Sequence, residues 1–414
     1  MSGRLIYGVH HAITSSSDGY AVRGHGLARA LCQAGVALKV LVGPSNSASG
    51  LPFRVTEDGV DYLHLKSISE PSYQWLLSVL KPDAVLAASN WSHALPLQQA
   101  AQKLGLPFWY EARGFWELSR CSREPYFSGS AEFQQEVAAE TAIAQAAGRL
   151  FTLNRQMAAE WVRRGVPASK ISLIPNGLAA IPTIIPEPDR TLLDRLDMGT
   201  GKVVAYIGSF SVYEGLDNLI SAFALARQQG LDACLLLVGS LSKAGRSGQP
   251  CESADRLIAL ASQLGVADRL VLTGRVPPQS VASYYPLIDL VVIPRRPERV
   301  CEIVSPLKPL EAAANGAQLL LSSVAPLADL QSLGPGVHLF EKGSDHALFR
   351  QLVDILSLPT PPHSPQLLYP GLEKLLWSRN IQPLLEALRE TPRRLKRSFP
   401  WQSTDSPKTD SSEL

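Results

Sequence analysis

Short apolar runs alternate with amphipathic stretches along the first half of the chain. Apolar, β-branched-rich runs of this length are typical of buried strands, whereas apolar residues at three- and four-residue spacing predict helices. Residues 5–9 and 38–42 have the strand pattern, and residues 22–31 between them have the helix pattern. Further strand patterns occur at residues 60–65, 84–87, 108–110, 150–153 and 171–174. This order predicts a parallel sheet with right-handed crossovers.

The alternation stops at residues 181–190, IPTIIPEPDR, where prolines and the lack of periodicity predict a linker. A second series follows, with helix patterns at residues 216–228 and 253–264. Its strand patterns lie at residues 203–207, 234–238, 270–272, 290–293, 319–321 and 337–340. A proline-rich piece at residues 358–366 precedes a last helix pattern at residues 372–388.

These patterns predict an α/β protein with two doubly wound, Rossmann-like domains facing across a cleft. We expect an N-terminal domain at residues 1–182, a linker at 183–195 and a C-terminal domain at 196–365. A C-terminal helix at 366–390 is expected to return to the N-terminal domain, and a polar tail at 391–414 to be disordered. A cleft between domains is a usual place for a substrate.

Composition narrows the function classes. The chain has 414 residues, a net charge of +2 and 45% hydrophobic residues, which favours two full cores over a general nucleic-acid binder. No apolar run reaches the roughly 18 residues of a membrane span, and the N-terminus lacks a secretion signal's apolar core. Five scattered cysteines favour a reducing compartment, so a cytoplasmic location is expected. The basic run RRLKR in the tail leaves peripheral contact with an anionic membrane face open, beside a simply solvated end.

A candidate anion site follows the strand pattern at residues 290–293. Pro294 breaks the strand, a charged loop follows, and a helix is predicted to start near Ser305 and Pro306 and to end at Gly316. Arg295, Arg296, Arg299 and Lys308 lie close by in sequence. A helix start beyond the carboxyl end of a parallel strand favours a phosphate or diphosphate. The alternative is a solvated charged loop beside an ordinary helix.

Three segments of the chain, taken in order, resemble a known family. They are IPNG at residues 174–177, YIGSFSVYEGLDNLISAF at 206–223 and SPLKPLEAAANG at 305–316. Together they resemble retaining glycosyltransferases of the GT-B fold, of the family 4-like type that builds bacterial exopolysaccharides and lipopolysaccharides. The resemblance spans about residues 3–390 and includes YEARGFWE at 110–117 and DGYAVRGHGLARAL at 18–31, which resemble the acceptor-side domain.

The resemblance implies a nucleotide-diphosphate sugar donor in the C-terminal domain. The family's glycine turn matches Gly208, Ser209 and Phe210, where backbone amides can approach the diphosphate. The family commonly has an arginine where this chain has Ser209 and a lysine where it has Glu214. Lys308 and the pair Arg295 and Arg296 are the available substitute cations.

The resemblance also implies a pair of glutamates and a helix start that hold the donor. The second glutamate matches Glu311 and is expected to bind the ribose, while the first falls on Ile303. Glu302 either replaces it through a shifted loop or is a surface carboxylate paired with an arginine. Ser305, Pro306 and Leu307 are expected beside the donor, and Arg296, Lys308 and Glu302 are the expected catalytic residues.

On the acceptor side the resemblance places a glycine loop, here Gly19, near the donor sugar. The residues expected around the acceptor are Asp18, Tyr20, Arg23, His25, Glu111, Arg113 and Trp116. For His25 and Trp116, a structural role is the alternative.

The expected reaction is transfer of a hexose from the nucleotide sugar to a hydroxyl of a glycan or lipid-linked glycan, with retained configuration. No protein nucleophile is marked, so stabilisation of the departing diphosphate is the implied chemistry. No Asp-x-Asp pair follows a strand, so we expect no metal and no other cofactor. Two alternatives stay open: a GT-B sugar-nucleotide epimerase, and a non-catalytic nucleotide- or glycan-binding relative.

Overall fold

The computed structural model describes residues 3–16, 18–44, 51–199, 201–239 and 254–392. Within these residues the chain forms two sheets, one of eight strands and one of six. Their parallel pairing and intervening helices confirm the predicted fold class of two doubly wound α/β domains. Cys251 and most of the tail, residues 393–414, lie outside the described residues.

The first sheet has the strand order β3-β4-β2-β1-β5-β6-β7-β8. Its strands are β1 (Arg4–Val9), β2 (Ala37–Val42), β3 (Arg54–Glu57), β4 (Val60–His64), β5 (Ala84–Ala88), β6 (Phe108–Ala112), β7 (Arg149–Thr152) and β8 (Ile171–Leu173). Its helices are α1 (Gly19–Gln33), α2 (Glu70–Leu80), α3 (Trp91–Lys103), α4 (Trp116–Cys121), α5 (Ala131–Ala146) and α6 (Arg155–Arg163). The antiparallel edge strand β3 was not predicted, because its four residues RVTE are mostly exposed and carry no apolar run.

The second sheet has the order β11-β10-β9-β12-β13-β14 and is parallel throughout. Its strands are β9 (Lys202–Ile207), β10 (Ala233–Val238), β11 (Leu270–Gly274), β12 (Leu290–Ile293), β13 (Gln318–Ser322) and β14 (Val337–Phe340). The helices of this region are α7 (Arg190–Leu196), α8 (Leu216–Gln228), α9 (Ala254–Gln263), α10 (Pro278–Val281), α11 (Arg299–Ile303), α12 (Lys308–Ala314), α13 (Ala325–Ala328) and α14 (Asp345–Leu356). Helix α7 lies inside the segment predicted as a linker, and its N-cap is Asp189, whose carboxylate accepts hydrogen bonds from the first-turn amides.

Both faces of the first sheet are buried, as a doubly wound arrangement requires. Ile6 of β1 belongs to one apolar cluster, whereas its neighbours Leu5 and Tyr7 belong to the cluster on the other face. The order of connection reverses beside β1 in the first sheet and beside β9 in the second. Open α/β sheets bind ligands at the carboxyl ends of strands at such switch points.

The helix predicted at residues 372–388 is broken in the structure. After α15 (Pro365–Leu368), a 3-10 turn (Leu372–Leu375) is followed by α16 (Trp377–Asn380) and α17 (Gln382–Glu390). The extended backbone of Leu376 causes the break.

These terminal helices pack on the first sheet. Trp377, Ile381 and Leu384 join the apolar cluster that contains β1 and α1 residues. A Cβ at Gly26 or at Gly177 would collide with the Trp377 ring, so only glycine permits this close approach.

Candidate functional site

The second sheet's switch point lies between β9 and β12, which pair directly. Gly208 follows β9 and Pro294 follows β12, so the two segments that leave these strands lie at one edge of the sheet. The backbone amide of Arg296 donates to the Tyr213 carbonyl at 3.0 Å, which ties the two segments together. The motifs predicted to bind a diphosphate therefore meet at the expected edge.

Gly208 and Lys308 occupy adjoining space. Gly208 has φ +147°, and a Cβ there would collide with the Lys308 side chain. Lys308 is the first residue of α12, which is seven residues long and starts later than predicted, after Ser305, Pro306 and Leu307. The missing side chain of Gly208 thus leaves space that is filled by Lys308, a residue of another element.

Glu214 is the acidic centre of this cluster and is only 1% exposed. Its carboxylate accepts hydrogen bonds from Arg295 Nη2 at 3.0 Å and from Lys308 Nζ at 2.8 Å. Burial favours the neutral acid, but the charges of Arg295 and Lys308 outweigh it and lower the pKa of Glu214 to about 2. Two of the three cations predicted as substitutes therefore converge on an acid at the position where the family has a lysine.

Each of the three cations also has other partners. Arg295 donates through Nη1 to the Val304 carbonyl at 3.0 Å, and its buried guanidinium lies 5.5 Å from the Tyr213 ring centroid. Lys308 also donates to the Tyr206 hydroxyl. Arg296 pairs with Asp217 at a half-buried position. Of the three cations, Lys308 is the one that lies directly over the glycine turn.

Glu311 lies one helical turn beyond Lys308 on α12. Burial raises the pKa of Glu311, and the charge of Lys308 opposes that shift. Its carboxylate makes no hydrogen bond to any part of the chain that the structure describes. A half-buried carboxylate that has no hydrogen-bond partner among the described residues is available for a ligand's hydroxyl groups.

Glu302, the possible replacement for the missing first glutamate, is engaged at the start of α13. Its carboxylate accepts from Lys342 Nζ at 2.5 Å and from the Ala325 amide at 3.2 Å. Ile303, at the family's own position, is buried in an apolar cluster of the first domain. Glu302 is thus paired with a lysine rather than the arginine considered for it, and its catalytic role stays a prediction.

Two other residues predicted at the donor are engaged within the protein. Phe210 is 1% exposed in the core of the second domain. The Ser305 hydroxyl accepts from Asn154 Nδ2 at 2.6 Å, and its carbonyl accepts from Asn176 Nδ2 at 3.0 Å. Ser305 therefore joins the two domains, whereas Ser209 stays exposed beside the turn.

The first domain reaches the donor side through the start of α1. A Cβ at Gly19 would lie 3.6 Å from Leu307 Cδ1, so the glycine loop faces the segment before α12. Asp18 is the N-cap of α1: one carboxylate oxygen accepts from the Ala21 amide at 2.9 Å and the other pairs with His11. Asp18 therefore has a structural role as a helix cap, and the position of the helix start determines where Gly19 and Tyr20 lie.

Tyr20, Arg113 and Trp116 form a platform beside that loop. The rings of Tyr20 and Trp116 stack with centroids 4.8 Å apart, and Arg113 lies over Tyr20 at 5.2 Å. Arg113 Nη1 donates to the Tyr20 carbonyl at 2.9 Å, while its buried Nε has no partner in the described residues. The structure thus brings together three residues predicted on the acceptor side.

Arg23, Glu111 and His25 are held away from such contacts. Arg23 donates to Glu111 at 2.9 Å and to the Ile174 carbonyl at 2.9 Å, and Glu111 is fully buried. The two ring nitrogens of His25 bond Tyr62 at 2.7 Å and Asp58 at 3.1 Å. Their polar atoms are thus already paired inside the first domain, and the acceptor contacts expected of these three residues stay predictions.

Two residues in these regions, Tyr206 and His10, were not predicted from the sequence. Tyr206 bonds Lys308 and the Ser209 carbonyl, although it looks like an ordinary strand residue. His10, directly after β1, packs against His93 with the ring centroids 3.8 Å apart and the ring planes tilted by 45°. Burial, and then the neighbouring histidines, lower the pKa of His10 to about 3, so it is neutral at pH 7. The doublet HH directly after a strand was the available signal.

The described residues lack two features, a metal-binding cluster and a membrane-spanning helix. They contain no group of three or more histidine, cysteine, aspartate or glutamate side chains arranged to hold a metal ion. In the same residues, no helix is both long and apolar enough to cross a bilayer. Metal independence stays a prediction.

Comparison with known proteins places both halves of the chain. Residues 18–177 match the family described as "Glycosyl transferase 4-like domain", and residues 201–357 match "Glycosyl transferases group 1". The Salmonella typhimurium lipopolysaccharide 1,2-N-acetylglucosaminetransferase is 26% identical over 189 residues, 45% of this chain and 48% of that protein. A D-inositol 3-phosphate glycosyltransferase of Nocardia farcinica is 28% identical over 167 residues, 40% of this chain and 35% of that protein. The chain thus spans about half or less of the length of these relatives.

Solved structures agree on the fold. Sucrose-phosphate synthase from Thermosynechococcus elongatus aligns with a TM-score of 0.72 at 17% identity, over 94% of this chain and 98% of that one. The Anabaena protein Alr3699/HepE, solved with UDP and glucose, aligns with a TM-score of 0.72 at 14% identity, over 94% and 99%. At these identities the likeness concerns the fold. The chain is therefore similar to glycosyl transferase 4-like domains over residues 18–177 and to group 1 glycosyl transferases over residues 201–357, and it has the GT-B fold.

Proposed function

We propose that this chain is a retaining glycosyltransferase that moves a hexose from a nucleotide-diphosphate sugar to a hydroxyl of a glycan or lipid-linked glycan. The observation that carries the proposal is the joint placement of Gly208, Lys308 and Glu311 at the second sheet's switch point. A glycine turn, an ammonium group and a carboxylate without a hydrogen-bond partner in the described residues suit the diphosphate and the ribose of one ligand.

The roles follow from the chemistry of each group. Lys308 and the backbone at Gly208 neutralise the diphosphate as it leaves, and Glu311 accepts from the ribose hydroxyls. Arg295 supports Lys308 from the buried side through Glu214. Arg296 keeps its proposed contact with the diphosphate as a prediction to be tested.

The proposed acceptor site is the platform of Tyr20, Arg113 and Trp116. It lies beside Gly19, which faces Leu307 and hence the proposed donor site. An aromatic face suits the apolar face of a sugar ring, and the unpaired Arg113 Nε suits a hydroxyl or an anionic group. The named activities of the relatives, which transfer sugars to lipopolysaccharide and to inositol phosphate, support a hydroxyl acceptor.

No protein nucleophile enters the proposed reaction. The departing diphosphate is stabilised by fixed charges and amides and takes the acceptor proton, which leaves the sugar on the acceptor with its configuration retained. Such preorganised electrostatic stabilisation can supply about 3–4 kcal/mol for each well-placed donor. We propose that no metal ion is required.

Two observations favour the non-catalytic alternative. Glu214 pairs with two cations of the site and offsets one of their charges, and Ile303 replaces the first glutamate of the family pair. A protein that only binds nucleotides or glycans would tolerate both changes.

Thermal shift with a panel of nucleotide sugars and nucleoside diphosphates tests the proposal. A ligand at a hundred times its Kd stabilises the native state by about 2.7 kcal/mol, so a true donor stands out. Donor consumption with and without glycan acceptors then separates the candidates. A transferase releases nucleoside diphosphate faster with acceptor, an epimerase releases an epimerised sugar without one, and a non-catalytic protein binds but consumes nothing. Absence of any shift across the panel would rule out the proposed donor site.

A further inference from the structure

A buried carboxylate at a diphosphate site needs an explanation, because it repels the ligand. Glu214 ends a short 3-10 turn, Val212–Glu214, and points inward with 1% exposure. It contacts Arg295 at 3.0 Å and Lys308 at 2.8 Å. Both contacts bridge segments that are far apart in sequence, so Glu214 joins the turn after β9 to α12 and to the segment after β12.

Lys308 depends on Glu214 for both position and charge. Its aliphatic chain covers Gly208, and its Nζ is bonded to Glu214 and to the Tyr206 hydroxyl. The titratable and charged groups that face this cluster are Glu214, Arg295, Glu311, Tyr206, Tyr213 and Cys301. Of the two carboxylates among them, Glu214 is the one in direct contact with the ammonium group.

We propose that Glu214 is a positioning residue of the donor site: it holds Lys308 over the Gly208 turn and keeps its amine protonated, so that a cation from α12 meets the diphosphate. This inference rests on the proposed function and names the device by which the chain replaces the family's lysine at position 214. The positive charge that the family has in the turn after β9 is supplied here by Lys308 of α12. Glu214, which stands in the turn instead of the lysine, holds Lys308 in place.

The physical reason is the cost of a buried, unpaired charge. An ammonium group taken out of water without a partner neutralises instead. Burial lowers the pKa of Lys308, Glu214 opposes that shift, and Arg295 adds to it. Without Glu214, Lys308 loses its proton at a lower pH and loses the anchor that holds it over the turn. A neutral amine contributes little to binding a diphosphate.

The experiment compares binding of a nucleoside diphosphate with binding of the corresponding nucleoside. The diphosphate is the one that stabilises the unmodified protein in a panel of UDP, GDP, ADP, CDP and dTDP. Calorimetric Kd values are measured between pH 7 and 9.5, where the terminal phosphate, with a pKa of about 6, is fully ionised. The proteins are the unmodified chain, Glu214→Gln, Glu214→Asp, Lys308→Met and the double variant Glu214→Gln/Lys308→Met.

The diphosphate preference is the ratio of the Kd for the nucleoside to the Kd for the nucleoside diphosphate. We expect this ratio to fall with rising pH in Glu214→Gln, by up to about tenfold per pH unit. The fall should start at a lower pH than in the unmodified protein. Glu214→Asp should fall at an intermediate pH, because its shorter side chain keeps the charge but lengthens the contact. Lys308→Met should have a low preference that is independent of pH, and the double variant should match it. Unchanged nucleoside affinity is the control for folding.

The outcomes separate this inference from the proposed function. If no diphosphate binds the unmodified protein, the proposed function fails and takes the inference with it. If diphosphate binds but Glu214→Gln keeps the same preference and pH profile, the positioning role is wrong while the donor site stands. Tighter diphosphate binding by Glu214→Gln at every pH would also overturn it, since Glu214 would then act only as a repelling charge. If Glu214→Gln does not fold, Glu214→Asp replaces it in the test. A pH profile of Glu214→Asp equal to that of the unmodified protein would then refute the positioning role of Glu214.

Discussion

The ribose role proposed for Glu311 gives a sharp test, because the structure supplies a matched control. Glu311→Ala removes a partly buried carboxylate that has no hydrogen-bond partner in the described residues. No internal donor is left unpaired, and the cost of burying that charge disappears. We therefore expect the free energy of unfolding to change by less than about 1 kcal/mol.

Nucleoside binding should weaken strongly in the same variant. A hydrogen bond to a charged group contributes about 1.5–3 kcal/mol, which corresponds to a loss of roughly tenfold to 150-fold in affinity. Because burial raises the pKa of Glu311, the carboxylate is protonated at a higher pH than an exposed one. Nucleoside affinity of the unmodified protein should therefore fall as the pH is lowered toward that raised pKa. Glu311→Ala should not show this dependence.

Glu302→Ala is the control, since it removes an equal charge from the neighbouring helix α11. Glu302 is bonded to Lys342 and the Ala325 amide, so nucleoside affinity should stay within about twofold of the unmodified value. Isothermal calorimetry measures both variants. Equal nucleoside affinity in folded Glu311→Ala, or an equal loss in Glu302→Ala, would refute the ribose assignment.

Three further predictions concern the terminal helices, one buried acid and the second arginine. Trp377→Ala should cost about 3–5 kcal/mol in urea unfolding, because the ring is 5% exposed against α1, whereas Trp75→Ala, at 55% exposure, should change stability by less than about 0.5 kcal/mol. Equal effects would contradict the packing described. Burial raises the pKa of Glu140 to about 7, so its contribution to stability is present below about pH 4.5 and is lost as the pH rises toward 7. Glu140→Gln should not show this loss. The difference between the pH–stability curves of the unmodified protein and the variant should therefore change by about 3 kcal/mol across this range. Superimposable curves would disprove the role of Glu140. Arg296→Ala and Lys308→Ala should each weaken diphosphate binding more than nucleoside binding, and their effects should be non-additive if both touch one phosphate. A diphosphate affinity in Arg296→Ala equal to that of the unmodified protein would remove Arg296 from the site.

Much of the fold was predictable because strand burial leaves a direct trace in sequence. The predicted strands at residues 290–293 and 337–340 match β12 and β14 to the residue, and the others differ from the structure by one or two residues at one or both ends. The elements that were missed lack such a trace. Strand β3 is polar and exposed, and the terminal helix breaks at Leu376, an apolar residue with no proline or glycine to mark it.

The site was predictable in its location but not in its pairing. The motifs indicated which segments meet, and Gly208 and Lys308 do meet. The ion cluster around Glu214 joins residues 81 and 94 positions apart, and no local pattern encodes such a contact. Glu302 and Ile303 are adjacent in α11 but have different surroundings. The side chain of Glu302 contacts Lys342, whereas that of Ile303 lies in the core of the first domain, and a shift of one residue in sequence alignment exchanges the two positions.

The most direct test of a retaining transfer is the anomeric configuration of the sugar when it leaves the nucleotide. The nucleotide sugar that the panel selects, in its α-linked form, is incubated with the full chain and an accepting glycan, and the product is followed by proton NMR. Because the departing diphosphate is proposed to take the acceptor's proton, the acceptor attacks from the face that the diphosphate leaves, and we expect the product's anomeric centre to show the one-bond carbon–proton coupling of an α linkage. A β-linked product would contradict the proposed chemistry, and an unchanged donor under conditions where it binds would contradict catalysis itself.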